Sequence, residues 1–227
     1  MAQNTRSADD RAMQRPGSDV AGAKSLAHTA LAHTALLLMD LQNDFLHPDG
    51  AYGRAGQIAA AVSAVVPRMA PLVTLARMKN IPVIASQFTL VPRSGSEPLI
   101  SPHLRHLRPF LKRGDFEPGA WGHAIVDELG APDFSVEKIA YSAFYMTRLE
   151  WILRKLEIRH VIASGIVTNG GVASTIRDAH VRDLDITLLE DGCAAFSEDV
   201  HRTAIDSLRP VARIATIAEL SAELNGA

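Results

Sequence analysis

The stretch Gly165-Ile166-Val167-Thr168-Asn169-Gly170-Gly171-Val172 constrains this chain more than any other. A β-branched strand end enters a glycine turn and leaves it as the helical pattern Ala173-Ser174-Thr175-Ile176-Arg177-Asp178-Ala179. Backbone amides at such a strand-to-helix junction point outward without partners, and the helix dipole favours negative charge there. The turn is therefore a candidate anion cradle and the first place to look for an active site. It carries no nucleophile, because Gly170 and Gly171 stand where a thiol or hydroxyl would open the helix. Ser174 lies about one helical turn beyond Gly171 and points elsewhere, whereas Thr168 is better placed to orient the turn. Taken alone, the glycine pair also reads as a tight turn with close helix packing.

The rest of the chain repeats that alternation. Thr34 to Met39 is a continuous apolar run of the kind buried on both faces of a parallel sheet, and it ends at Asp40. A turn-rich segment leads to a helical stretch over 58–80, with Pro67 and Pro71 implying a break near 66. Strands follow over 81–88 and 135–139, the second carrying Lys138 near its end, with a helix over 121–129 between them. The long Pro/Gly/Arg-rich connection 90–118 reads as a cover for the site. Thr147-Arg148-Leu149-Glu150 has the form of a capping box for a helix to Glu157. Strands over 160–164, 186–189 and 211–214 complete the series, with a helix from the glycine turn to about Arg182 and Ser197 capping another. Thr216-Ile217-Ala218-Glu219 is a second capping box. This pattern predicts an α/β sheet with helices on both faces, whose ligands bind at the carboxyl ends of the strands. Asp40, Lys138 and the turn 167–171 fall at three such ends.

Composition narrows the partners. With 227 residues, 47% hydrophobic, the chain suits one large domain, read as 31–227 after a disordered extension over 1–30. A formal charge of -2 argues against nucleic acid or an anionic membrane surface and leaves a small molecule as the expected ligand. The single cysteine, Cys193, excludes an internal disulfide, suits a reducing cytoplasm, and reads as a buried structural residue. His103 and His106 read as surface histidines. The run 105–113, rich in Arg and Lys, could draw in an anionic substrate or be a solvated face or subunit contact.

Three blocks of this chain resemble the signatures of the isochorismatase-like hydrolase superfamily. They are Leu38-Met39-Asp40-Leu41-Gln42-Asn43-Asp44-Phe45, Lys138 with Tyr141-Ser142-Ala143-Phe144, and the opening stretch 165–172, in family order from about residue 34 onward. The resemblance implies a single-domain three-layer sandwich around a six-stranded parallel sheet, commonly assembled as dimers or tetramers. In its amidohydrolase members an aspartate, a lysine and a cysteine do the chemistry, matching Asp40, Lys138 and position 171. Position 171 is glycine, so the thiolate that would attack an amide carbon is lost. The resemblance keeps the oxyanion cradle on the backbone N–H groups of Val167 and Gly171, with a cis peptide at Ile166-Val167. Isochorismatase itself also carries glycine there, and cleaves a vinyl ether with an acid and water. Its alanine-histidine pair is Thr168-Asn169 in this chain. The metal ligands of nicotinamidases have no counterpart in Gln87 to Arg93, so neither metal nor cofactor is expected. Phe45, Gln87, Trp121, Tyr141 and Phe144, with Thr168 and Asn169 of the third block, match substrate-lining positions.

Three readings follow. The chain is a hydrolase acting without a thiol through Asp40 and Lys138, a C–N amidohydrolase whose cysteine at 171 has been lost, or an inactive ligand-binding or assembly subunit.

Overall fold

The computed structural model describes residues 31–226, so the extension over 1–30 lies outside the described residues. Six parallel strands form one sheet: β1 (Thr34–Met39), β2 (Val83–Phe88), β3 (Phe134–Lys138), β4 (His160–Ile166), β5 (Asp185–Ala194) and β6 (Arg213–Ala215). Their order is β3-β2-β1-β4-β5-β6, so the chain winds outward from β1 on one side and returns to lay β4 on the other. The crevice between the carboxyl ends of β1 and β4 is the switch point where such sheets bind ligands.

Helices cover both faces. They are α1 (Asn43–Leu46), α2 (Ala51–Arg54), α3 (Ala60–Ser63), α4 (Val65–Met78), α5 (Pro102–Leu107), α6 (Leu149–Lys155), α7 (Ala173–His180), α8 (Glu198–Leu208) and α9 (Ile217–Gly226). Side chains alternate across a strand, so β1 feeds both layers. Leu36 and Leu38 join α4 and α9 in one cluster, while Ala35, Leu37 and Met39 join α6, α7 and α8 in the other. Every residue of β1 is buried, as its unbroken apolar run requires. By length and composition Ala60–Met78 would also suffice to cross a membrane. Here it is split at Ala64 into α3 and α4, and Val65, Val66, Met69, Leu72, Val73 and Ala76 of α4 are buried. Pro67 sits in the first turn of α4, where no intrahelical donor is needed.

Several expected boundaries moved. The helix expected over 121–129 is instead two 3-10 turns, Trp121–His123 and Asp127–Leu129, with Ile125 bridged to Gln42 between them. Pairing with the first block overrides local helix preference, and Gly122 is pressed so closely on the Asp44 carboxylate that a Cβ would lie 2.3 Å from it. Thr147 does not form the expected box. Its hydroxyl accepts from Leu149 two residues on, and Glu150 pairs with Arg154 and Arg182. The second box forms as read, Glu219 accepting from the Thr216 amide and Thr216 from the Glu219 amide. Ser197 likewise caps α8. β5 runs past Leu189 to Ala194, so Cys193 is inside a strand rather than after it, paired with Gly165 and 2% exposed.

Candidate active site

Asp40 follows the last residue of β1, with its backbone in the left-handed region at φ 60° and its amide donating to the Ser86 carbonyl at 2.9 Å. This bend turns the carboxylate over the end of β2. Oδ1 accepts from the Phe88 amide at 3.1 Å, and Oδ2 lies 2.8 Å from Lys138 Nζ. Lys138, the last residue of β3, is 2% exposed and also donates to the Ala140 carbonyl at 3.2 Å. Its ammonium stands 5.7 Å from the centre of the Phe88 ring. A lysine and an aspartate buried together must be paired. Burial nevertheless pushes the Asp40 carboxyl above its ordinary range, outweighing Lys138 and the Phe88 amide.

The glycine turn faces this pair. The Ile166-Val167 peptide is cis, as the resemblance implied. Five residues, Thr168–Val172, make one wide helical turn before α7 begins. The amides of Gly170 and Val172 donate to the Val167 carbonyl at 3.0 and 3.4 Å. Among the described residues, the amides of Val167 and Gly171 donate to no acceptor outside their own elements. A Cβ on Gly171 would lie 3.0 Å from Asp40 Oδ2, 3.4 Å from Lys138 Nζ and 3.4 Å from the Tyr141 carbonyl. The Cα face of Gly171 thus opens directly onto the ion pair, and the three expected strand ends converge.

The remaining candidates divide. Tyr141 is mostly exposed, its ring 3.7 Å from where a Gly170 Cβ would be. Phe45 belongs to an aromatic wall with Tyr52, Phe88 and Phe116. Thr168 is fully buried, and its hydroxyl meets His201 Nδ1 at 2.8 Å, consistent with a role in orienting the turn. Gln87 turns away: its amide donates to the His123 carbonyl at 2.8 Å, and strand alternation gives the position beside Lys138 to Phe88. Trp121 packs edge-on against His47, with centroids 4.9 Å apart. Phe144 is buried in the core beneath the Arg182 guanidinium, 4.7 Å from its ring. Asn169 faces a groove with Ala173, Arg177 and Val200, between α7 and α8. Burial pushes the Cys193 thiol up to about 12, which leaves it inert.

Two positioning residues escaped the sequence reading. Gln42 brackets Phe88, accepting from its amide at 2.8 Å and donating to its carbonyl at 3.0 Å. Thr175 donates to the Gly171 carbonyl at 2.7 Å and accepts from the Ala143 amide at 2.9 Å, tying the turn to the segment after Lys138. The only signals were Gln42's place two residues after Asp40 and Thr175's place one helical turn after Gly171. Among the described residues no three His, Cys, Asp or Glu side chains gather as a metal set.

Known proteins share this architecture. The isochorismatase domain model matches residues 34–219. A ureidoacrylate amidohydrolase RutB of Yersinia enterocolitica is 34% identical over 182 residues, covering 75% of this chain and 79% of the relative. A second, from Methylobacterium radiotolerans, is 31% identical over 189 residues, covering 78% and 73%. A cysteine hydrolase of Pseudomonas syringae pv. phaseolicola superposes with TM-score 0.75 at 22% identity, over 86% of this chain and 94% of that one. An N-carbamoylsarcosine amidase of Thermoplasma acidophilum does so with TM-score 0.63 at 26% identity, over 81% and 96%.

Proposed function

The chain belongs to the isochorismatase family, whose relatives are hydrolases, and from that premise we propose that it hydrolyses a small ureido or carbamoyl compound with water as the nucleophile. The observation that carries this is Asp40 Oδ2, held by Lys138 at 2.8 Å yet facing the side-chain-free surface of Gly171. Water admitted there meets a base where a thiol would otherwise stand. Asp40 takes a proton from the water as its oxygen bonds to the carbonyl carbon. The Val167 and Gly171 amides hold the oxyanion, and Asp40 returns the proton to the departing nitrogen. Lys138 stabilises the ionised carboxylate before the first proton transfer and again after the second. The relatives named for ureidoacrylate and N-carbamoylsarcosine support the C–N substrate class.

A second reading rests on the raised Asp40 pKa, which favours a neutral carboxyl able to protonate an enol ether. The pH–rate profile separates the two. As a base Asp40 must be ionised, so turnover rises with pH through its raised pKa; as an acid it must be protonated, so turnover falls. The test is a panel of ureides, carbamoyl amines and enol ethers, with mass spectrometry for covalent adducts. Ureide turnover rising with pH, without an adduct and abolished in Asp40→Asn, is the expected result. Turnover that survives Asp40→Asn refutes the mechanism.

A further inference from the structure

Tyr52 on α2, Arg108 in the 90–118 connection and Phe196 just past β5 converge beside the site. Arg108 Nε donates to the Tyr52 hydroxyl at 2.7 Å, and its guanidinium lies 5.7 Å from the Tyr52 ring centre and 5.4 Å from that of Phe196. The two rings are nearly parallel, 6° apart in plane and 6.0 Å between centres. One Nη1 hydrogen is spent on the Leu107 carbonyl at 2.9 Å. Among the described residues no carboxylate pairs with Arg108, whereas Arg54, Arg182 and Arg213 each have one. A half-buried guanidinium oriented by two rings keeps three N–H donors unspent, one on Nη1 and two on Nη2, for an anion.

This cluster is continuous with the catalytic pair. The Phe88 ring beside Lys138 lies 6.1 Å from that of Phe45, which lies 4.9 Å from that of Tyr52. Burial pushes the Tyr52 phenol upward against the pull of Arg108, and the charges of Asp40 and Tyr141 add to the rise, so the phenol is within electrostatic reach of the ion pair. Lys138 is already committed to Asp40, which leaves Arg108 as the cation at the far end of this wall.

We propose that Arg108 determines specificity by binding the carboxylate of the substrate, with Tyr52 and Phe196 as the clamp that aims it. The substrate class is then a small carboxylic acid bearing its ureido or carbamoyl group at the opposite end, a refinement that rests on the reaction proposed above. One guanidinium edge matches the two oxygens of a carboxylate.

The test compares 3-ureidopropionate with its methyl ester. The acid is preferred by the unmodified protein, and Arg108→Gln lowers the acid-to-ester ratio of kcat/KM by roughly 10- to 100-fold, the range for a charge-assisted paired hydrogen bond. Arg108→Lys lowers it less, since the charge stays and the fork is lost. A ratio unmoved by Arg108→Gln overturns the assignment, because general damage to the fold cancels in the ratio. Calorimetry on Asp40→Asn protein reads binding apart from turnover. There the acid binds more tightly than the ester, and adding Arg108→Gln removes the difference. If no ureide is turned over while that difference persists, the reaction is wrong and the carboxylate site stands. If the Asp40→Asn protein binds both alike, or neither, the role of Arg108 falls whatever the kinetics.

Discussion

The two ends of β1 and β4 each bury a titratable side chain, and they treat it in opposite ways. At the amino end Thr34 pairs with His160 in register, and the imidazole meets the Thr34 hydroxyl at 3.4 Å and the Thr187 hydroxyl at 2.9 Å. Burial lowers His160 to about 4, so it stays neutral with both nitrogens occupied. At the carboxyl end Asp40 is kept beside an ammonium, and the oxygen that takes this contact also faces the turn. Burial is common to both ends, so burial alone does not make a site. What separates them is capacity left unspent: the histidine has none, whereas the carboxylate fronts a backbone surface cleared of side chain, beside two amides.

The contrast can be broken first at the carboxyl end. Asp40→Ala should cut turnover by roughly 1,000-fold. It should also cost about 3–5 kcal/mol of stability, because Lys138 is left charged and alone in the interior. Adding Lys138→Met should restore most of the stability and none of the turnover, read by urea unfolding alongside initial rates. If the single variant is as stable as the parent, the buried pair is not held as described.

A smaller effect is expected at the amino end. The folded-state pKa of His160, about 4, lies below its ordinary value of 6.5. The unfolded chain therefore takes up this proton first, and stability is lost as pH falls from 6.5 toward 4, by about 3 kcal/mol. Unfolding free energies measured across that window should flatten in His160→Gln, while kcat at neutral pH is unchanged. A slope that survives the substitution assigns the titration elsewhere.

The mildest change sharpens the comparison. Gly171→Cys places a Cβ 3.0 Å from Asp40 Oδ2, which the carboxylate accommodates by moving a few tenths of an ångström. Stability should shift by less than about 1 kcal/mol, and the thiol beside Lys138 should form a covalent acyl adduct with ureides, detectable by mass spectrometry. A variant that folds normally and acquires no adduct counts against a nucleophile's place at this position.

How much of this the sequence discloses depends on the range of the forces involved. Unbroken apolar runs reveal the strands, and a strand's end fixes where the next residue sits, so Asp40, Lys138 and the glycine turn were legible as a group. The phase of a side chain at a strand's last residues was not. Gln87 and Phe88 differ by one step, and the pleat hands the site to Phe88. Trp121, Phe144 and Asn169 were assigned from resemblance, and their directions are decided by contacts with His47, Arg182 and α8 that lie far away in sequence. Gln42 and Thr175 touch backbone rather than other side chains, and such contacts leave little trace in a pattern of residue types.

The strand order has a mechanical side. With β1 and β4 as neighbours, every ladder hydrogen bond between the strands of 34–138 and those of 160–215 runs along a single seam. The Asp40–Lys138 ion pair belongs to one half and the glycine turn to the other. Thr34 and His160 fasten the seam at its lower end, and a molecule bound as proposed between Asp40 and the Gly171 amide would rivet its upper end. Binding and cohesion of the two halves are therefore one equilibrium: a ligand that spans the seam raises Tm as its concentration rises.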